Sequence, residues 1–117
     1  MRILGTDHIF LHLLYMKKTS HFTALIHYSL TENGGVVNPF STGFRTSFQF
    51  PFELQAYLGS HNFEEPELIF PGDSVTVEIT LINAESFLSK LYTGMDFEIS
   101  DNSGVIGTGV ISDVYDR

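Results

Sequence analysis

The chain has no cysteine and no tryptophan, and only six of its 117 residues are Lys or Arg. Without cysteine, disulfide frameworks, thiolate zinc sites and cysteine nucleophiles are excluded together. The longest apolar run, residues 9–16, falls well short of the ~20 residues a membrane-spanning helix takes, and His12 interrupts it. As a secretory leader it lacks a basic stretch in front and a small-residue cleavage site behind. The expectation is a soluble, cytoplasmic protein. Fourteen Asp and Glu residues outweigh the cations, for a formal net charge of −8. Phosphate-binding surfaces gather several Lys or Arg on one face. Here Arg2, Lys17 and Lys18 lie near the N-terminus and Arg117 ends the chain, leaving Arg45 and Lys90 as the internal cations.

What is abundant is apolar and aromatic. Apolar residues make up 43% of the chain and eleven residues are Phe, enough to place it among globular proteins and to predict a core built on Phe. Its length fits one domain. Phe22, Ala24, Ile26, Tyr28 and Leu30 alternate with His21, Thr23, Leu25, His27 and Ser29, the period of a strand with one buried face. Glu32-Asn33-Gly34-Gly35 then supplies a reversal tolerant of positive φ. Phe44, Phe48, Phe50 and Phe52 predict a second strand, with Pro51 marking an edge, an end or a bulge. Residues 54–58 are read as a third strand and the acidic residues 59–67 as a loop or a degraded connection.

Pro71-Gly72-Asp73 has the composition of a turn with Pro at its second position and Gly at its third. Val75, Val77, Ile79 and Leu81 follow as the clearest half-buried strand. Residues 87–91 fit a short strand or one helical turn. Met95, Phe97 and Ile99 alternate with Asp96, Glu98 and Ser100, and Asp101-Asn102-Ser103-Gly104 turns the chain into residues 105–115. Several short strands and no long amphipathic helix predict an antiparallel sandwich or barrel. Both parities of residues 7–16 are largely apolar, which fits a fully buried strand, a short helix covering a barrel end or a partner-binding arm; residues 1–20 are expected to pack as an arm on a domain spanning residues 21–117.

These pieces, in this order, resemble the C-terminal, third β-barrel of bacterial translation elongation factor Tu. The similarity runs from about Phe22 to about Val114. It rests on Phe22, Ala24 and Ile26, on Glu32-Asn33-Gly34-Gly35 before Pro39-Phe40, and on Phe44-Arg45-Thr46-Ser47-Phe48-Gln49-Phe50. Pro71-Gly72-Asp73 with its strand, Gly94, Phe97, Ile99, Gly107 and Gly109-Val110 complete it. The resemblance implies an all-β fold, a closed antiparallel barrel of about six strands. In that family the barrel contacts the T-stem backbone of aminoacyl-tRNA and packs against a GTPase domain. This chain departs where the family is basic. Val36-Val37 stands in place of Arg-His, Asp96 and Ser100 stand in place of arginines, and Asn102-Ser103-Gly104-Val105-Ile106-Gly107 stands in place of Gly-Gly-Arg-Thr-Val-Gly, without its Arg. The GTPase itself is absent from the sequence.

The functional expectation is therefore a non-catalytic binding module for protein–protein contact, with another protein or a second copy as partner. Phe40, Phe44 and Arg45, which match the family segment from its Pro-Phe pair through its Tyr-Arg, are the expected contact residues. The alternative is a translation-associated RNA-binding accessory, with Arg45, Lys90, Lys17 and Lys18 as phosphate contacts. The charge balance disfavours tRNA.

Other motifs are weak. Gly104-x-x-Gly107-x-Gly109 lacks the strand–glycine–helix context of a dinucleotide site and reads as close strand approach. No Walker lysine motif is present, so the chain is expected to bind no nucleotide. His8 and His12 beside Asp7 supply two imidazoles and a carboxylate, short of a fixed ligand set for a transition metal. Glu64, Glu65 and Glu67, like Asp101, Asp113 and Asp116 elsewhere, lack the spacing of a calcium loop. No nucleophile elbow or supported Ser/His/Asp order appears. Neither a cofactor nor a metal is expected, and the chain is expected not to be an enzyme.

Overall fold

A computed structural model describes residues 20–30 and 38–115. Six strands run in chain order: β1 (Phe22–Tyr28), β2 (Arg45–Gln49), β3 (Tyr57–Asn62), β4 (Ser74–Leu81), β5 (Asp96–Asp101) and β6 (Gly104–Val114). They close into an antiparallel barrel in the order β1-β4-β3-β2-β5-β6, with β6 pairing back onto β1. The expected six-stranded barrel is the fold. A 3-10 turn, Leu88–Lys90, occupies the segment that fitted either a strand or a helical turn. The expected N-terminal arm lies outside the described residues, apart from Ser20, as does Glu32-Asn33-Gly34-Gly35.

Alternation decides which side chains enter the barrel. Phe22, Ala24, Ile26, Val75, Val77, Ile79, Phe97 and Ile99 are all buried, because a pleated strand sends every second residue to one face. Phe22 is packed edge-on to Phe97 and Phe48, with ring centroids 5.9 and 6.5 Å apart, in the geometry favoured by the aromatic quadrupole. Phe87 covers one end of this cluster, 5.6 Å from Phe50 and stacked at 4.3 Å on Tyr57.

The turns carry the chemistry their composition predicts. Asp73 donates its backbone N–H to Phe70 O at 3.0 Å, which puts Pro71 and Gly72 at the two central positions, and Gly72 takes φ +92°. The Asp73 carboxylate accepts in return from Phe70 N at 2.9 Å. Between β5 and β6, the Asp101 carboxylate accepts from Ser103 N at 2.8 Å and Ser103 Oγ at 2.6 Å, replacing backbone bonds that a two-residue reversal leaves open.

The third strand differs from expectation. It runs over Tyr57–Asn62 rather than residues 54–58, through part of what reads as a loop. Its inward residues are Tyr57, Gly59 and His61, so hydropathy is blind to most of its core face. A Cβ at Gly59 would lie 2.7 Å from Phe48 Cε1 and 2.9 Å from Leu81 Cδ2, so only glycine leaves room for those neighbours. Leu54, the supposed start of the strand, is 98% exposed. β2 likewise stops at Gln49, before Pro51, and leaves Phe52 outside it.

Candidate functional site

At the end of the barrel where β2 begins and β3 finishes, Phe40 and Phe44 stack with centroids 3.8 Å apart and planes 11° from parallel. Phe44 lies in turn on the imidazole of His61 at 4.1 Å. Phe40 is held by an isolated bridge to Ile69, its N–H and carbonyl both bonded at 2.9 Å. His61 is fully buried, and its ring nitrogens are occupied: Nδ1 meets Tyr28 Oη at 2.9 Å and Nε2 meets Thr46 Oγ1 at 2.8 Å. A neutral imidazole has one donor and one acceptor nitrogen, and each hydroxyl can play the complementary role. Burial strips the cation of solvent and pushes the His61 pKa down to about 3. The same burial raises the pKa of Tyr28. The pair is thus a neutral hydrogen-bonded network, unsuited to carrying protons near pH 7.

The sequence-predicted contact residues divide here. Phe40 and Phe44 are brought together, but their rings cap the core rather than project from it. Arg45 is exposed, opposite Ser60 on β3. Lys90 sits at the other end of the barrel, its Nζ 5.8 Å from the centre of the Phe52 ring, which follows the far end of β2. Arg45 and Lys90 therefore do not share a phosphate-binding face. Lys17 and Lys18 lie outside the described residues, as do His8 and His12. Among the described residues no cluster of three or more His, Asp or Glu side chains has the arrangement of a metal site, and no helix is long and apolar enough to cross a membrane.

Two open clefts mark the outer wall. One, of about 650 Å³, lies over β1 and β4 and includes the polar groups of Thr23, Asn62, Glu64 and Glu78. The other, of about 630 Å³, lies where the chain leaving β2 passes the outer faces of β5 and β6. Leu54 and Val110 give it an exposed apolar surface, Phe50 beside them is buried in the core, and Glu53, Asp96 and Glu98 supply carboxylates. Asp96 and Glu98 point outward because Phe97 and Ile99 point inward, and Val110 is the cross-strand partner of Asp96. Neither carboxylate has a cationic partner among the described residues. The alternation of residues 95–100 placed Asp96 and Glu98 outside in advance; nothing in the sequence placed Leu54 and Glu53 beside them. No family model matches the chain.

Proposed function

We propose that this barrel is a non-catalytic protein-binding module related to the third domain of elongation factor Tu, and that its docking surface is the cleft between the β2 exit and the β5–β6 wall. The observation that carries this reading is Leu54, 98% exposed at the lip of a cleft whose surface includes the exposed Val110. An apolar side chain so fully hydrated beside further apolar area gains about 25 cal/mol for each Å² a partner covers. The separation of Arg45 from Lys90 and the carboxylates along the cleft weigh against the RNA-binding alternative.

The test is a photo-crosslinking amino acid at position 54, with the same group at the exposed Ser86 as control. In extracts of the native cell, position 54 is expected to yield a discrete protein adduct that position 86 does not. Adducts sensitive to nuclease would instead support the RNA-binding alternative, and identical products from both positions would reject the cleft as the docking surface.

A further inference from the structure

We infer that the cleft selects an extended, basic peptide segment that carries an apolar anchor. The inference rests on the protein-binding reading above and names the chemistry of the partner. It begins from what the barrel forbids. Among the described residues each of the six strands is paired on both sides, so none of them offers a free edge to a partner strand through main-chain bonds. Recognition must then come from side chains on the wall.

On that wall Asp96 and Glu98 are two residues apart on the same face of β5, a separation of ~7 Å at the rise of an extended strand. Both are exposed, and Glu53 adds a third carboxylate, which accepts from Tyr57 Oη at 3.3 Å. An extended peptide spaces its alternate side chains by the same ~7 Å, so Lys or Arg at every second position meets the two β5 carboxylates in register. Leu54 and Val110, both exposed, then offer apolar contact to a Leu, Ile or Phe beside those cations.

Charge decides the occupant. Among the described residues only Arg45 and Lys90 are Lys or Arg, and neither borders the cleft. A second copy of this chain would bring another acidic wall against the first, at a formal charge of −8 on each. An acidic or phosphorylated segment meets the same repulsion. A basic segment is drawn in and leaves Asp96 and Glu98 paired.

The experiment uses the full chain as bait for a phage-displayed library of random peptides, selected at low salt and at ~0.15 M salt. The expected result is enrichment of sequences with Lys or Arg at alternate positions flanking an apolar residue. A labelled peptide of the enriched sequence should bind the chain with a Kd about 5-fold or more weaker after Asp96→Asn with Glu98→Gln, since exposed charge pairs each add modestly. Leu54→Ser should weaken it independently. Glu64→Gln with Glu65→Gln, which removes two charges from the β3–β4 connection, should leave the Kd within 2-fold.

Equal losses from the two double variants would show a long-range field rather than a cleft and would overturn the inference. Enrichment of neutral or acidic sequences sensitive to Leu54→Ser would also overturn it while leaving the protein-binding reading in place. If no enriched peptide depends on any cleft substitution, the inference falls, and a position-54 crosslink then decides separately whether the cleft docks a protein at all.

Discussion

Phe44 lies flat on the imidazole of His61, 4.1 Å between ring centres and 17° between planes, and this contact turns a polar residue into part of the barrel core. Both nitrogens of His61 are bonded within the protein, and the Phe48 ring lies 5.1 Å from the imidazole, tilted by 35°. The imidazole is kept neutral because burial would leave its cation without solvent.

Stability should therefore fall in acid in a way traceable to this residue. The folded-state pKa of about 3 lies below the ordinary value of 6.5, so the unfolded chain takes up the proton first as pH drops. The stabilisation is complete above pH 6.5 and is lost toward pH 3, at up to about 1.4 kcal/mol per pH unit. Urea unfolding at pH 7 and pH 4.5 should show a larger loss for the natural chain than for His61→Gln, which keeps a donor and an acceptor but does not titrate. Equal losses in both would show that His61 is not the group being protonated.

The aromatic cap and the neighbouring arginine should separate cleanly. Phe44→Ala removes a ring stacked on both Phe40 and His61 and should destabilise the fold by about 2–4 kcal/mol. Arg45→Ala, at an exposed position, should change stability by no more than about 0.5 kcal/mol. Chemical denaturation of the two variants checks this. A loss for Arg45→Ala comparable to that for Phe44→Ala would contradict the exposed placement of Arg45.

Gly109 and Phe97 should show coupled energetics. They are cross-strand partners, and a Cβ at Gly109 would fall inside the van der Waals surface of the Phe97 ring, with Ile26 Cγ1 3.0 Å away on another side. Gly109→Ala should cost about 1–3 kcal/mol through overpacking. In a double-mutant cycle, Phe97→Leu should cost less in the Gly109→Ala background than in the natural chain, because the smaller side chain gives the methyl room. Strict additivity would show that the two sites do not compete for space.

Binding to tRNA should be weak. Arg45 and Lys90 stand at opposite ends of β2, and each phosphate contact contributes through its own cation. Titration of labelled tRNA at several salt concentrations should give no submicromolar affinity at ~0.15 M salt. A submicromolar Kd that disappears with Arg45→Ala would displace protein binding as the preferred function.

The sequence by itself determined the class of fold and most of its core, because a pleated strand writes its orientation into every second residue. Phe22, Ala24 and Ile26, Val75, Val77 and Ile79, and Phe97 and Ile99 were legible as inward faces for that reason, and Pro71-Gly72-Asp73 was legible because few residues fit a turn with positive φ at its third position. β3 was misplaced because its inward positions include Gly59 and His61, a vacancy and a polar ring. Their suitability depends on Phe48, Leu81, Tyr28, Thr46 and Phe44 arriving from elsewhere in the chain. The same holds for the surface. Alternation put Asp96 and Glu98 outside, but only closure of the barrel, through the pairing of β2 with β5 and of β5 with β6, brought them beside Leu54 and Val110. Local pattern fixes which face a side chain takes; long-range pairing fixes its company, and a cleft is a property of that company.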